Sequence, residues 1–274
     1  MGSLPAPAPP PRTSAEMERL LIAIPSYNAK PFLRATVDRI PWDAFPADIA
    51  REVFFIDNAS QDGTQDEICL IRQELEAAGI PAQALLRSRN QGYGASMKAA
   101  LDAALEGGAD YLAILHADGQ YAPELLPPML EQLRARPEAA LHFGSRLTGR
   151  PLAGGMPLYK YAANHLLSGL QNLLLGARLS EYHSGYRLYR MALMAGLPYR
   201  NLSDGFVFDN QIIWLILDRG FGVSESTIPT HYGEEKSHVP RIATPLAILG
   251  QLGLYLLHRW GIRRSRLYAE QESK

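Results

Sequence analysis

The sequence predicts an α/β fold: one mostly parallel sheet with helices on both faces. Three observations carry this reading. Short apolar runs recur along the first half of the chain, each followed by a polar loop and then by a stretch with helical spacing of its apolar residues. The runs are nearly uniformly apolar, as in Tyr111-Leu-Ala-Ile-Leu115, which suits strands covered on both faces. With 274 residues and 47% hydrophobic content, the chain is long enough to bury a sizeable core as one domain.

The elements follow in order. Leu20 to Ile24 is a buried strand running into Pro25-Ser-Tyr27-Asn28, and Pro31 opens a helix ending near Pro41. Val53 to Ile56 leads into Asp57-Asn-Ala-Ser60-Gln-Asp62-Gly63-Thr64, and a helix then runs to about Ala78, where Gly79 stops it. A third strand near Ala82 to Arg87 precedes Arg89-Asn90-Gln-Gly92-Tyr-Gly94, with Ala95 to Leu105 helical. The Tyr111 strand ends in His116-Ala-Asp118-Gly-Gln120, and Pro123 opens the fourth helix. These four units imply right-handed crossovers, with all four loops on one sheet edge. A fifth strand, Leu141-His-Phe, ends in Gly144-Ser-Arg146. Beyond it, Leu158 to Leu175 has helical spacing, a buried helix begins at Asp209, and Leu246 to Leu257 is apolar-rich. The domain reading is a Pro/Ala-rich tail over 1–18, a single domain over 19–240, and a helical extension over 241–274.

Composition and missing motifs exclude several functions. A net charge of −1 leaves no extended basic face for nucleic acid, so any anionic partner is small. Cys69, the single cysteine, lies in an Ile-Cys-Leu-Ile run and reads as a core thiol, with no disulfide within the chain. The proline-rich start lacks the apolar core of a signal peptide, which predicts a cytoplasmic tail. The loop after the first strand lacks Gly-x-Gly-x-x-Gly, and Met97 stands where the late Gly92-x-Gly94 would need its third glycine, so a nicotinamide enzyme is rejected. A Walker loop and a Gly-x-Ser-x-Gly elbow are absent too.

At the end of the Tyr111 strand, Asp118 and Gln120 offer hard oxygens of the kind Mg2+ or Mn2+ prefers, leaving room for substrate phosphates. The competing reading is a solvated Asp-Gly turn.

Taken together, Ile24-Pro25-Ser-Tyr27-Asn28, Asp57-Asn-Ala-Ser60-x-Asp62-Gly63-Thr64, Asn90-x-Gly92-x-Gly94-Ala95, Asp118-Gly-Gln120 and Gly144-Ser-Arg146 resemble the ordered signature of family 2 glycosyltransferases. Glu181-Tyr-His-Ser184-Gly185-Tyr186-Arg187, Ile228-Pro229-x-His-Tyr and Lys236-Ser237-His238 narrow the resemblance to the polyprenyl-phosphate group typified by dolichyl-phosphate mannose synthases. It covers roughly residues 20 to 240.

The resemblance implies a GT-A fold with a single Rossmann-like sheet, a nucleotide-diphosphate sugar donor, a divalent cation (Mg2+ or Mn2+), and inverting transfer to a polyprenyl phosphate or another small acceptor. It implies that Pro25 and Tyr27, with Asn28 beside them, rim the nucleotide, that Asp57 accepts base N–H groups, and that Asn90, Gly92 and Gly94 lie beside the nucleoside. Asp118 and Gln120 would hold the metal. Arg146, Arg187 and Lys236 would share the charge of the phosphates, with Lys236 on a closing loop. Asp209 is read as a catalytic base or as a helix-capping acid, and Glu181 as the other group able to take a proton.

The chain departs from the family pattern at three positions. His116 and Ala29 stand where acids are usual, so His116 either ligates the metal or orients Asp118. Asn58 replaces a second acid. Three further alternatives stay open: a soluble hydroxyl acceptor with Asp209 as base, a nucleotidyltransferase (which would need a glycine-rich loop that is absent), and a degenerate nucleotide-sugar-binding protein. The Leu158 helix stands near the acceptor or is a core helix. The apolar segment near the carboxyl terminus is too short to span a bilayer, and is either a peripheral membrane contact or a closing helix.

Overall fold

The computed structural model describes residues 17–230 and 243–268. Seven strands form one sheet: β1 (Glu18–Ser26), β2 (Ile49–Asp57), β3 (Ala82–Leu86), β4 (Tyr111–Ile114), β5 (Ala139–Ser145), β6 (Arg187–Arg190) and β7 (Gly222–Thr227). Their order is β3-β2-β1-β4-β6-β5-β7, and all pairings are parallel except those of β6, which is antiparallel to both neighbours. The helices are α1 (Lys30–Asp38), α2 (Thr64–Ala77), α3 (Tyr93–Glu106), α4 (Leu126–Arg134), α5 (Leu158–Leu175), α6 (Met191–Met194), α7 (Phe208–Asp218) and α8 (Ala243–Arg259).

Alternation along β1 explains why both faces are covered. Leu20, Ile22 and Ile24 join one buried cluster with residues of α1, α2 and α4, while Leu21 and Ala23 join the other with residues of α3, α7 and α8. The expected strand-loop-helix units are therefore present, and β1 begins at Glu18, inside the stretch expected as tail.

Two strands lie outside the sequence expectation, for different reasons. β6 starts at Arg187, the last residue of the Ser184-Gly185-Tyr186-Arg187 run, and is a short Arg-Leu-Tyr-Arg stretch with a charge at each end; its entry from the antiparallel direction makes the sheet mixed. β7, Gly-Val-Ser-Glu-Ser-Thr, is an edge strand of half-buried polar residues and lacks the apolar run of the central strands.

Three further expectations change. Cys69 is half-buried on α2 and is not a core thiol. The reading of α5 as a core helix holds for one face only: its bounds are as expected and Leu167, Gln171 and Leu175 are buried, but Leu166 is 74% and Leu173 78% exposed, with Leu158 and Tyr159 also exposed. The segment expected as an extension belongs to the main core, since Ile248, Leu252, Tyr255 and Leu256 of α8 are buried against α7 and the Tyr255 hydroxyl donates to the Trp214 carbonyl. Among the described residues no helix is long and apolar enough to cross a membrane.

Candidate active site

The site is the carboxyl edge of the parallel strands, where β1 and β2 end in register with Ser26 opposite Asp57. The loops there are knitted together by side chains reaching main-chain groups. Asn28 adopts a left-handed φ of 50°, which asparagine tolerates. Its N–H donates to Ser60 Oγ (2.8 Å), and its Oδ1 accepts from the Gln61 N–H (2.9 Å). The N–H groups of Ala29 and Lys30, at the start of α1, donate to Thr64 Oγ1 (3.0 Å) and Asp62 Oδ2 (3.1 Å). The Asp62-Gly63-Thr64 motif thus caps a helix on the neighbouring loop, satisfying donors that α1 cannot satisfy itself. Pro25 is half-buried, and Tyr27, 40% exposed, stands at the rim.

Beneath the rim, the Asp57 carboxylate is fully buried. Its Oδ2 accepts from the Ser60 N–H (2.9 Å) and from Gln65 Nε2 (2.6 Å), whereas Oδ1 has no hydrogen-bond partner. Asn58 explains why an amide can replace an acid there. Its Nδ2 donates to Asn90 Oδ1 (2.9 Å) while its Oδ1 accepts from the Gln91 N–H (2.9 Å), and a carboxylate could not make the first bond.

Asn90, Gly92 and Gly94 are held on this edge, but the glycines serve a different approach from the expected one. A Cβ at Gly92 would lie 2.3 Å from the Asp204 carbonyl oxygen and one at Gly94 2.2 Å from that of Ser203. The main chain that passes close is the 203–205 loop, and no nucleoside contact is needed to explain the pair. The Gly94 N–H donates to the Asp204 carbonyl (2.7 Å), and Lys98 holds the Asp204 carboxylate at 2.6 Å.

Two residues missed in the sequence complete this side. Arg87, buried at the end of β3, donates to Asn58 Oδ1, Ser96 Oγ and the Ala95 carbonyl, and burial pulls its pKa below the usual value. Tyr93, between the two glycines, stacks on Phe206 with centroids 5.3 Å apart and donates its hydroxyl to Asp209 Oδ2 (2.9 Å). An aromatic at the start of a helix was the only signal for it.

Past β4, Asp118 Oδ1 accepts from the Gln120 N–H (3.1 Å) across Gly119, whose φ is 74°. This is an Asx turn with Asp118 and Gln120 half-buried. No group of three His, Cys, Asp or Glu able to hold a metal occurs among the described residues. Such a sparse donor set fits a cation held largely by substrate phosphates and water, as Mg2+ usually is, with one or two oxygens from the protein. His116 sets its ring edge-on to Tyr93 and Tyr121, with Nε2 3.4 Å from the Tyr93 hydroxyl. That contact supports neither ligation nor orientation of Asp118. Burial lowers its pKa against the opposing charges of Asp118 and Asp209, so the ring is neutral at pH 7.

The cations of the second half are engaged within the protein. Arg187 is 1% exposed; it donates to the carbonyls of Ser184 (2.7 Å), Asp209 (2.9 Å) and Tyr182 (3.2 Å), and stands 3.4 Å from Asp209 Oδ1. It is a strut fixing the 182–184 loop to α7, which corrects the expectation that it faces phosphates. Arg146 pairs with Glu181 through Nε (3.1 Å) and its terminal nitrogen, and Glu181 also accepts the Arg146 N–H (2.9 Å). Burial alone would raise the Glu181 carboxyl, but the Arg146 charge and hydrogen bonds outweigh it and hold the group below its usual range. Such an acid is a poor base. Asp209 does not cap α7, because its carboxylate turns to Tyr93, and burial raises its pKa despite Arg187 and His116. Lys236 lies outside the described residues.

Comparison with known proteins agrees with this geometry. The Glycosyl transferase family 2 domain matches residues 21–196. The undecaprenyl-phosphate mannosyltransferase of Micrococcus luteus is 34% identical over 254 residues, covering 91% of this chain and 99% of that one. The polyprenol monophosphomannose synthase of Mycolicibacterium smegmatis is 26% identical over 257 residues, 92% of this chain and 91% of that one. In three dimensions, glucosyl-3-phosphoglycerate synthase from Mycobacterium tuberculosis, solved with Mn2+, UDP and glucosyl-3-phosphoglycerate, superposes with a TM-score of 0.59 at 17% identity, covering 90% of this chain and 82% of that one. A GT-A sheet, the loop signature on its carboxyl edge and matches along most of the chain lead to one assignment: the chain belongs to glycosyltransferase family 2.

Proposed function

We propose that this glycosyltransferase moves a sugar from a nucleoside-diphosphate donor to a polyprenyl phosphate with inversion, assisted by a divalent cation at Asp118. The observation that carries the proposal is the placement of two carboxylates on one sheet edge. Asp57, with a buried unpaired oxygen, ends β2; Asp118, with only one oxygen engaged by Gln120, lies beyond β4; and β1 between them brings the Pro25 and Tyr27 rim. The relatives named for polyprenol and undecaprenyl phosphate support the acceptor class.

In this reading Asp57 accepts a base N–H while Pro25 and Tyr27 flank the ring. Asp118 and the Gln120 side-chain oxygen hold the cation, which when bound stabilises charge on the departing nucleoside diphosphate. An acceptor phosphate oxygen attacks the anomeric carbon opposite the leaving group, so one C–O bond forms as the bond to the diphosphate breaks. No base is required, because a phosphate monoester with a second pKa near 6 is largely dianionic at neutral pH. Asp209 then serves to neutralise Arg187, Arg146 is held by Glu181, and Lys236 is the cation offered to phosphate. The exposed leucines of α5, with Leu246, Trp260 and Ile262 of the carboxyl-terminal segment, are the apolar surface for the isoprenoid and a peripheral membrane contact.

The test supplies polyprenyl phosphate, a panel of nucleotide-sugars and Mg2+ or Mn2+, and detects lipid-linked sugar. Product should form, chelator should suppress it, and Asp118→Asn should lose on the order of a hundredfold in turnover with the fold intact. Transfer to a soluble hydroxyl that depends on Asp209, with no lipid product, would replace this reading.

A further inference from the structure

We infer that two copies of this chain join through β3, each free edge pairing antiparallel with the other about a twofold axis at Ala84. β3 ends the seven-stranded sheet, with β2 on one side and no strand on the other. The opposite edge, β7, is guarded: it carries the charge of Glu225, and its Ser224 and Ser226 are tied to His142. β3 has no charge, proline or bulge within it, and Leu85 and Leu86 are exposed on its two faces.

Main-chain direction decides what this edge presents. The Arg87 N–H donates to the Asp57 carbonyl, and the Pro81 carbonyl accepts from the Val53 N–H, so the odd-numbered residues here turn their polar groups towards β2. By alternation, Ala82, Ala84 and Leu86 turn their N–H and C=O groups outward. No described residue bonds to these groups. An antiparallel partner centred on Ala84 satisfies all of them. Ala84 then lies opposite Ala84 of the second copy, and Ala82 opposite Leu86 on either side, each pair exchanging both of its hydrogen bonds.

A second copy fits because the strand complements its own reversed sequence. On the face covered by α2, small Ala82 lies opposite large Leu86, with Ala84 at the axis. On the other face Leu85 lies opposite Gln83, at the rim of a groove of about 460 Å3 lined by Phe54, Pro81, Gln83 and Ala103. No like charges meet along the strand. The same register carries Arg89 to Gly79 of the second copy, just past the end of its α2. The last turn of α2 holds Glu74 and Glu76 and no basic residue, so its carbonyl end lacks the cation that a helix dipole favours there. Arg89 is exposed, makes no ion pair among the described residues, and supplies that charge.

Sedimentation of the full chain over a range of concentrations should show a reversible dimer. Ala84→Pro is the sharp variant. Its N–H points away from β2, so the single chain keeps every bond of its sheet, whereas the pair loses a hydrogen bond from each copy and meets a ring at the axis. The dissociation constant should rise at least about tenfold, with thermal unfolding confirming that the variant is folded. Leu85→Lys, at an exposed position, should weaken the dimer without touching the main chain. Crosslinking in a Cys69→Ser background reads the register. Gln83 and Leu85 of the two copies form a non-hydrogen-bonded pair about 4.5 Å apart at Cα, within disulfide reach, while Gln83 and its own mate are roughly 7–8 Å apart. Oxidation should therefore give a covalent dimer from a mixture of Gln83→Cys and Leu85→Cys chains, and far less from either alone. A chain that stays monomeric at every concentration reached overturns the inference. So does a dimer that both Ala84→Pro and Leu85→Lys leave intact, or one whose mixed cysteine variants do not crosslink.

Discussion

The two ends of the catalytic edge are built differently. On the β3–β2–β1–β4 side, short polar residues bond to nearby main chain, and the charged groups are left with unspent capacity, as at Asp57 and Asp118. On the β5–β6–α7 side, charges are buried in pairs, Arg146 with Glu181 and Arg187 with Asp209. The first arrangement leaves carboxylate oxygens open; the second spends its cations on holding the protein together, although Asp209 Oδ1 there also lacks a hydrogen-bond partner. A cation in a motif is therefore no guide to a ligand until its own hydrogen bonds are counted.

The largest expected effect breaks that contrast at Arg187. Arg187→Met removes a buried cation that bridges three carbonyls and leaves Asp209 without its counter-charge, so unfolding free energy should drop by about 3–5 kcal/mol. Urea titration measures it. A variant of near-native stability that had lost only turnover would restore Arg187 to the phosphate-facing role.

This asymmetry also decides what could be read from the sequence. The donor side was legible because Asp57, Ser60, Asp62 and Thr64 share one loop and Asn28 lies on the loop of the adjacent strand, 32 positions away, two motifs that the family resemblance placed on one sheet edge. Partners on the other side are remote in sequence, Tyr93 meeting Asp209 across 116 positions. No local pattern reports that distance. Gly92 and Gly94 were recognised as sites of close approach, yet the chain that approaches them, 203–205, is equally remote. The bounds of α5 were legible from its spacing, but Leu158, Leu166 and Leu173 face outward while Leu167 and Leu175 are buried, and periodicity cannot tell a core face from a docking face.

A smaller effect sharpens the contrast through pH. His142 and His183, both on the second side, are pushed down to about 4 by burial, His142 lying between Ser224 and Ser226. The unfolded chain takes up a proton near 6.5, whereas the folded chain does not until about 4. Stability is therefore full above 6.5, falls as pH drops from 6.5 towards 4, and changes no further below. The expected loss over that window is on the order of 3 kcal/mol for each imidazole. Glu74 and Glu124 are held below their usual range by Arg34 and Arg39, so their contribution is full above about 4.5 and is lost only as pH falls below it. Hydrogen exchange at pH 5 against pH 7 should therefore loosen β5 and β7 before β1 and β2. Earlier loss of protection in β1 would contradict it.

The smallest effect on stability is expected where the exposed apolar surface is greatest. Leu166 and Leu173 of α5 are 74% and 78% exposed, so each buries little against the protein and replacement by glutamate should change unfolding free energy by no more than about 0.5 kcal/mol. If these leucines serve only as surface, activity should be unchanged too. If they meet the isoprenoid or a lipid surface, a charge there must be desolvated on contact, and that cost falls on binding alone. The double variant Leu166→Glu, Leu173→Glu should then bind nucleoside diphosphate normally. It should also keep turnover with a short, water-soluble isoprenyl phosphate while losing most turnover with long-chain acceptor in vesicles, together with co-sedimentation. Equal loss with both acceptors would move the effect from the surface to the site and remove α5 from the acceptor path.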